Sequence, residues 1–311
     1  MTTSGTHVPV LLEPVLKGLA IRKDGCYVDG TFGRGGHSQS ILDRLGEDGR
    51  LIAIDRDPAA IASAPAALTG DSRFELVRGE IAQLGDIVAA RGLAGEIDGL
   101  LLDLGVSSPQ LDEAERGFSF MRDGPLDMRM DPDSGESAGA WLARVEEREL
   151  VKTLRQLGEE RDAGRIARSI IAARQQQPIT RTSELAGIVE AAVPRRDRKI
   201  HPATRTFQAL RIAVNDELGQ LASALDAAVG VLSAGGRLCV ISFHSLEDRI
   251  VKRFMRTASR EPEQYRGMPD IPDEYRPKLS LVGKLVTASA GEIDANVRSR
   301  SARLRIAEKA V

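Results

Sequence analysis

The chain has 311 residues and an ordinary globular composition, with 42% hydrophobic residues, so it can form one domain with a large insertion or two domains. The formal net charge of −2 excludes a protein that coats nucleic acid through global charge, and any such contact must come from local basic patches. The two cysteines exclude a disulfide framework, and the four histidines lack paired spacing, so we expect no metal site. Without a signal-peptide pattern or an apolar run of the roughly 20 residues that span a membrane, we expect a cytoplasmic protein with no membrane contact.

The first strong pattern is a short apolar strand, a glycine-rich turn, a helix and a second strand. Asp29 closes the first strand, and the turn that follows includes Gly33, Gly35 and Gly36 and ends at His37. Glycine lacks a Cβ and tolerates positive φ, so such a turn brings backbone close to a ligand. The pattern predicts a nucleotide-binding βαβ unit, although a turn of this kind is also compatible with a purely structural role.

An acid at the end of the second strand indicates the type of ligand. Asp55 lies roughly 20 residues beyond the turn, where an acid accepts hydrogen bonds from ribose hydroxyls in nucleotide-binding sheets. A dinucleotide fingerprint would have a third glycine where Ser38 stands, which favours S-adenosylmethionine over NAD or FAD. After a third predicted strand, Ile81 offers an apolar face for an adenine ring and is equally well explained as core.

A fourth predicted strand, 97–106, carries another acid near its carboxyl end. In an open α/β sheet ligands bind at the carboxyl ends of the strands, so Asp103 and the loop with Ser107, Ser108 and Gln110 are expected beside the glycine turn. An acid in this position can also cap the next turn, but its pairing with the acid of the second strand favours a role in the site.

From residue 111 the alternation of strands and helices stops for about a hundred residues. Three helical patterns with charged outer faces fill this stretch: 137–157, 161–174 and 182–192. We therefore expect two parts of one α/β domain around a helical substrate-binding insertion: 1–111, 213–311 and 112–212.

The insertion contains two groups of candidate RNA-binding residues. The first is a glycine-rich loop with Phe118, Phe120 and Arg122, a composition suited to stacking a base and holding phosphate, or to a packed interdomain loop. The second is a cationic run near the end of the insertion, which is either a solvated surface or a phosphate-binding patch. Its members, with a later arginine, are Arg195, Arg196, Arg198, Lys199 and Arg205.

The sheet is expected to resume after a long amphipathic stretch, 207–232. A strand at 237–243 ends at His244, and the next helical pattern, 246–254, is basic on one side. Two final strands, 285–287 and 302–307, are typical of the antiparallel pair that ends a methyltransferase sheet.

Several long blocks, taken in order, resemble the MraW family of bacterial methyltransferases, which act on small-subunit ribosomal RNA. The blocks run over nearly the whole chain and read DGTFGRGGHS at 29–38, AIDRD at 53–57, LLDLGVSS at 101–108, RGFSF at 116–120, PLDMRM at 125–130, GEER at 158–161, HPATRTFQ at 201–208 and SFHSLED at 242–248.

This resemblance implies a Rossmann-like α/β sheet of class I, an inserted all-helical domain and S-adenosylmethionine as cofactor. The implied reaction is N4-methylation of a specific cytidine of 16S ribosomal RNA in the decoding, P-site region, with an assembled or nearly assembled small subunit as partner and a homodimer left open. The implied cofactor contacts lie at the glycine turn, at both acids and beyond: Gly33, Gly35, Gly36, His37, Asp55, Ile81, Asp103 and Gln110. Ile81 stands where the family often has an aromatic residue, so adenine packing there is expected to be apolar contact only.

The chemistry of an amine nucleophile indicates which groups to look for. The lone pair of the cytosine amine is delocalised into the ring, so an acceptor must orient the amine and take its proton. The candidates are Asp103, Ser107, Ser108 and His244. Two other classes of protein stay open at this point, a nicotinamide-dependent dehydrogenase and a non-catalytic RNA or assembly factor with a vestigial pocket.

Overall fold

The structure is a computed structural model that describes residues 9–193, 200–265 and 271–311. The chain divides into two compact units, an α/β unit of Met1–Gly105 with Leu218–Val311 and a helical unit of Val106–Glu217. One group of predicted RNA-binding residues lies outside the described residues: Arg195, Arg196, Arg198 and Lys199.

The described part of the α/β unit holds one sheet. Its strands are β1 Cys26–Asp29, β2 Arg50–Asp55, β3 Phe74–Arg78, β4 Ile97–Asp103, β5 Leu232–Ser242, β6 Leu279–Leu281, β7 Val286–Thr287 and β8 Arg303–Lys309. The strand order is β3-β2-β1-β4-β5-β8-β6, and β7 also pairs with β8. Strands β1 to β5 pair in parallel, whereas β8 is antiparallel to β5 and to both short strands.

Helices connect these strands and form the other unit. Those of the α/β unit are α1 Leu12–Leu19, α2 Gly36–Leu42, α3 Pro58–Ala62, α4 Ala66–Thr69, α5 Leu84–Ala89, α12 Glu217–Val231, α13 Ser245–Ala258 and α14 Ala290–Ala295. Those of the helical unit are α6 Ser108–Asp112, α7 Ala138–Arg144, α8 Glu147–Gly158, α9 Ala163–Gln176, α10 Thr182–Ala192 and α11 Thr204–Asn215.

The sheet is buried on both faces, and each face belongs to a separate apolar core. Side chains alternate along a strand, so Tyr27 and Leu51 face α1, α2 and α4, while Val28 and Ile52 face α5, α12 and α13. Parallel strands covered on both sides need near-continuous apolar sequence, which explains why these strands are easy to recognise.

The helical unit has a core of its own, built by α7 to α11 with the chain segment before them. Helices α8 and α11 approach closely at Gly158, where a Cβ would lie 2.5 Å from the carbonyl oxygen of Arg205. Asn215 at the end of α11 holds the preceding segment: its Oδ1 accepts from Met130 N at 2.7 Å, and its Nδ2 donates to the Met128 carbonyl at 2.7 Å.

The boundaries of several elements differ from the sequence-based expectation. The patterns 137–157 and 207–232 each form two helices, because Val145 is extended, with ψ of 139°, and Asp216 takes a left-handed conformation, with φ of 46°. Helical periodicity continues across both breaks, so the pattern does not reveal them. Strand β5 begins at Leu232, before the predicted start, and contains a register shift opposite Ile97 and Gly99.

We predict that Asn215→Ala destabilises the helical unit by about 2–4 kcal/mol, because it leaves a buried N–H and a buried carbonyl without their partner. Thermal and urea unfolding measure the loss. The matched control is Gly187→Ala in α10, where a Cβ would meet no atom within 4 Å, and it is expected to stabilise by up to about 1 kcal/mol. Equal stability of Asn215→Ala and the wild type would contradict the assigned role.

Candidate functional site

Three neighbouring parallel strands end in aspartates at the same edge of the sheet. Asp29 ends β1, Asp55 ends β2 and Asp103 ends β4. The strand order reverses between β1 and β4, which is the point where open α/β sheets form a ligand-binding crevice. The two sequence-predicted acids therefore lie on one edge, and a third acid that was not predicted as a site residue lies between them.

The glycine turn between β1 and α2 is tied to the end of β2. Gly33 and Gly35 have backbone φ angles of +55° and +75°, which residues other than glycine rarely adopt. The Gly33 N–H donates to Asp55 Oδ2 at 2.7 Å. A Cβ on Gly36 would lie 2.5 Å from Pro9 Cγ, so Gly36 is required by packing.

The central acid, Asp29, organises the polar groups beneath the turn. It is buried and accepts from Ser38 Oγ at 2.7 Å and from Thr31 N at 3.1 Å, and burial raises its pKa. The Thr31 hydroxyl in turn accepts from Asp103 N at 2.6 Å. Ser38, which occupies the position of the third dinucleotide-fingerprint glycine, thus serves as a donor to a buried carboxylate.

Asp103 is partly accessible and incompletely paired. Its side chain is 25% exposed, yet its Oδ1 atom is buried and has no hydrogen-bond partner among the described residues. Burial raises the pKa of Asp103 well above its usual value, and the negative charges of Asp29 and Glu247 raise it further. A carboxylate in this position favours a proton or a cationic ligand.

His37, the second residue of α2, faces Asp103 from inside the protein. Its Nε2 lies 3.1 Å from the Val10 carbonyl oxygen, so Nε2 carries the hydrogen, and Nδ1 lies 3.5 Å from Asp103 Oδ2. Burial lowers the pKa of His37 to about 4, so the ring is neutral at physiological pH. The imidazole is fixed within the fold, which leaves its backbone as the part that can approach a ligand.

Asp55 combines two backbone hydrogen bonds with a perturbed pKa. Besides Gly33 N, it accepts from Asp57 N at 2.8 Å, and burial nevertheless raises its pKa to about 6. Ile81 lies near the same turn, since its Cγ2 would be 3.8 Å from a Cβ on Gly30. Asp55 and Ile81 therefore offer an acceptor and an apolar surface at one end of the crevice.

The end of β5 contributes His244 and Glu247 to the same edge, because Ile241 is the register partner of Asp103. His244 caps α13, with its Nδ1 3.4 Å from Glu247 N. Its buried Nε2 lies 3.2 Å from Glu247 Oε1 without the geometry of a hydrogen bond. Glu247 Oε2 accepts from Phe243 N at 2.8 Å.

The predicted site residues that follow Asp103 belong to the helical unit and begin α6. Ser107 and Gln110 form a capping box, in which Gln110 Oε1 accepts from Ser107 N at 2.9 Å. Ser108 is the first residue of the helix. The capping box thus uses some of the hydrogen-bonding groups of Ser107 and Gln110.

The two predicted RNA-binding phenylalanines have different environments within the helical unit. Phe118 is buried in its core. Phe120 is only partly buried and stacks on His201, with ring centroids 4.4 Å apart, while its edge meets Phe207. Of the two rings, only Phe120 is accessible enough to contact a ligand without rearrangement of the loop.

The predicted RNA-binding arginines both bond to backbone carbonyls. Arg122 donates to the Asp112 carbonyl at 2.6 Å, and Arg205 donates to the Glu159 carbonyl at 3.1 Å.

Between Phe120 and Arg122, Met121 has 79% of its surface exposed, which sequence reasoning missed. Apolar exposure at a loop tip depends on tertiary packing and leaves no sequence signal.

Sequence reasoning also missed Asp29 and Glu247 as parts of the site. A usable signal existed for Asp29, since it closes an apolar strand as Asp55 and Asp103 do. Glu247 lies in a helix of mixed charge, and its burial could not be read from the sequence.

The strand order, the antiparallel β8 between β5 and β6, and the glycine turn at the reversal define a Rossmann-like class I methyltransferase with an all-helical insertion. Enzymes of this class use S-adenosylmethionine as methyl donor. Residues 4–310 match the MraW methylase family, and the chain belongs to this family. It is an S-adenosylmethionine-dependent methyltransferase, which removes the nicotinamide-dependent dehydrogenase from consideration.

One sequence relative and two solved structures show what this chain is similar to. Ribosomal RNA small subunit methyltransferase H of Methylococcus capsulatus is 58% identical over 300 residues, which cover 96% of this chain and 99% of that protein. An rRNA methylase of Streptococcus thermophilus has a solved structure with 11% identity and a TM-score of 0.44, covering 98% of this chain and 100% of that one. The N-methyltransferase NodS of Bradyrhizobium japonicum has 11% identity and a TM-score of 0.42, covering 96% of this chain and 94% of that one.

In the part of the chain that the structure describes, no helix has the length and apolar character needed to cross a membrane.

We predict that His37 stays neutral throughout the physiological range, with the hydrogen on Nε2, because its burial lowers the pKa to about 4. Two-dimensional ¹H–¹⁵N spectra of the histidine rings between pH 5 and 8 report both the tautomer and the titration. A His37 resonance that titrates near pH 6.5, or a hydrogen on Nδ1, would contradict this arrangement.

Proposed function

We propose that this methyltransferase modifies N4 of a specific cytidine in the decoding, P-site region of 16S ribosomal RNA. Its partner in the cytoplasm is then the assembled or nearly assembled small ribosomal subunit. The partly exposed carboxyl group of Asp103 carries the proposal, since it places a hydrogen-bond acceptor at the edge of the sheet where the methyl donor is proposed to bind. The small-subunit RNA named for the 58% identical relative supports the choice of substrate.

The residues at the edge of the sheet fit S-adenosylmethionine. Among the described residues, no lysine or arginine forms an ion pair with Asp29, Asp55 or Asp103, so their negative charge lacks a protein counterion. A sulfonium and an ammonium supply the missing positive charge. The bound cofactor would provide a methyl group activated on sulfur for in-line displacement.

Each part of the cofactor has a proposed contact. The backbone of Gly33, Gly35, Gly36 and His37 lies alongside it, because the turn allows close approach there. Asp55 accepts from the ribose hydroxyls, and Ile81 packs on the adenine ring. Gln110 is proposed to contact the cofactor through the side-chain hydrogen-bonding groups that are not used in the cap of α6.

Asp103 is the proposed acceptor for the amine proton of the target base. Its raised pKa means that the carboxyl group of the free protein tends to keep a proton, and a nearby cation favours the ionised form. Once ionised, Asp103 can orient the amine and take its proton as the new N–C bond forms. Ser107 and Ser108 are proposed to orient the base, and His244 to hold the strand end through its cap.

The helical unit supplies the proposed RNA contacts. Phe120 stacks on the base or its neighbour, and Arg122 and Arg205 contact phosphates through guanidinium nitrogens that their backbone bonds leave available. Phe118 supports the loop from within the core, because its burial prevents direct stacking in this conformation. The cationic run that contains Arg195, Arg196, Arg198 and Lys199 remains the second proposed phosphate patch.

The decisive experiment is methyl transfer from labelled S-adenosylmethionine to small subunits from cells that lack this protein, followed by mapping of the modified nucleotide. We expect one N4-methylated cytidine in the decoding region. Asp103→Asn is expected to lower turnover by about 10²–10⁴-fold, because it removes the proton acceptor.

Asp98→Asn is the matched control for that variant. It makes the same change on the same strand, at the amino end of β4, where Asp98 accepts from Cys26 N at 2.8 Å, and it should retain turnover. No transfer by the wild type would support a non-catalytic assembly factor instead. Full turnover by Asp103→Asn would remove Asp103 from the reaction.

We predict that cofactor affinity falls as the pH drops through about 6, where Asp55 takes up a proton and loses an acceptor for the ribose. Because ribose hydroxyls bind the ionised form, affinity should be highest above pH 6 and decline by up to about tenfold per pH unit below it. Calorimetry with S-adenosylhomocysteine, which lacks the sulfonium charge, measures this between pH 5 and 7.5. The same decline in Asp55→Asn would show that another group is responsible.

A further inference from the structure

Helix α13 and Arg260, the residue after its C-cap, carry a cluster of exposed cations that the proposed site does not use. The helix begins at the edge of the sheet, and its basic residues all lie on the solvent side: Arg249, Lys252, Arg253, Arg256 and Arg260.

The spacing of these residues places them on one face. At 100° per residue, Arg249, Lys252, Arg253 and Arg256 fall within an arc of about 100°, and Arg260 continues the same line past the helix end. The opposite face of the helix is apolar, and its Val251 and Met255 are buried against the sheet. Since that apolar face is already covered, α13 cannot insert it into a lipid surface.

The charges of this face are largely uncompensated. The nearest acid on the helix, Asp248, is engaged by Arg303 and Arg305 from β8. Among the residues that the structure describes, none of the ion pairs includes Lys252, Arg253, Arg256 or Arg260. Four exposed cations without an ion pair among the described residues therefore lie close together on this face of α13.

Two grooves lie along this face, and Lys252, Arg256 and Arg260 line both of them. One, of about 510 Å³, is bordered by Arg249, Lys252, Arg253, Arg256 and Arg260, with Glu261 as its single acid. The other, of about 370 Å³, lies on the β8 side and adds Lys284 and Arg305. Grooves edged by guanidinium and ammonium groups suit an extended polyanion better than a compact anion.

We propose that the basic face of α13 binds the phosphate backbone of the substrate RNA outside the target nucleotide. From Arg249 to Arg256 the helix rises by about 10 Å, at roughly 1.5 Å per residue, so a strand that runs along the helix can place successive phosphates against several of these cations. Contacts of this kind fix the register of an RNA without reading its sequence.

This proposal rests on the proposed function, in which the substrate is small-subunit RNA. The test therefore uses small subunits and a decoding-region RNA fragment. The variant is Lys252→Gln/Arg253→Gln/Arg256→Gln. Loss of three phosphate contacts should lower the slope of log affinity against log salt by about 2–3 and weaken RNA binding by at least about tenfold at low salt. The KM for small subunits should rise by a similar factor while kcat and S-adenosylhomocysteine affinity stay unchanged.

The control removes the same charge from the other face of the sheet, where α1 and α2 pack. Lys17→Gln/Lys23→Gln/Arg44→Gln changes three exposed cations on or beside these helices and should leave RNA affinity within about twofold of the wild type.

Three outcomes would overturn the assigned surface. In the first, the α13 variant keeps the RNA affinity and salt slope of the wild type. In the second, the control variant loses as much RNA affinity as the α13 variant. In the third, the α13 variant loses binding to anionic lipid vesicles but not to RNA. Methyl transfer by the wild type combined with any of them defeats only the surface. Absence of wild-type transfer defeats the proposed function itself.

Discussion

Negative charge at the carboxyl edge of the sheet is the constraint on which the site depends. Asp29, Asp55 and Asp103 end three adjacent strands, and burial raises the pKa of each. Carboxylates in such an environment are costly in ionised form unless a proton or a cation accompanies them. The fold accepts this cost at a single edge, and a positively charged methyl donor is the type of ligand that relieves it.

A chain of hydrogen bonds keeps this edge in place. Asp55 fixes Gly33, Asp29 fixes Ser38 and Thr31, and the Thr31 hydroxyl receives the N–H of Asp103. The ends of β1, β2 and β4 are thus connected through the glycine turn, which is the proposed cofactor-binding segment. A neutral His37 fits the same scheme, because a protonated imidazole buried at this position would lose its hydration.

The parts of the fold that the sequence predicts are those with strong local signals. Apolar strands that close in an acid, and a turn with several glycines, identified the βαβ unit, and the family resemblance implied the class I sheet, which the strand order confirms. The helix breaks at Val145 and Asp216 were not predictable, because apolar periodicity continues through both. Strand β6 was missed because three residues are too few for a pattern.

The candidate site was less predictable, because its side chains have partners that only the tertiary structure reveals. Ser107 and Gln110 bond to each other across a helix cap, and the burial of Phe118 depends on helices that follow it in the chain. Sequence spacing indicates which residue types come together at an edge. It does not indicate which of their atoms remain unpaired, as Asp103 Oδ1 does.

The near-neutral net charge conceals a separation of charge within the α/β unit. Acids gather at the ends of β1, β2 and β4, whereas cations gather on the solvent face of α13, whose N-cap residue His244 lies beside the same edge. From His244 to Arg249 the helix rises only about 7 Å, at roughly 1.5 Å per residue. The proposed cofactor-binding edge and the proposed RNA-binding face therefore adjoin each other, which suits the proposed function, in which a sulfonium cofactor and an RNA are held at the same time. Summing the charges over the chain cancels these two surfaces, so the net charge alone gives no indication of either.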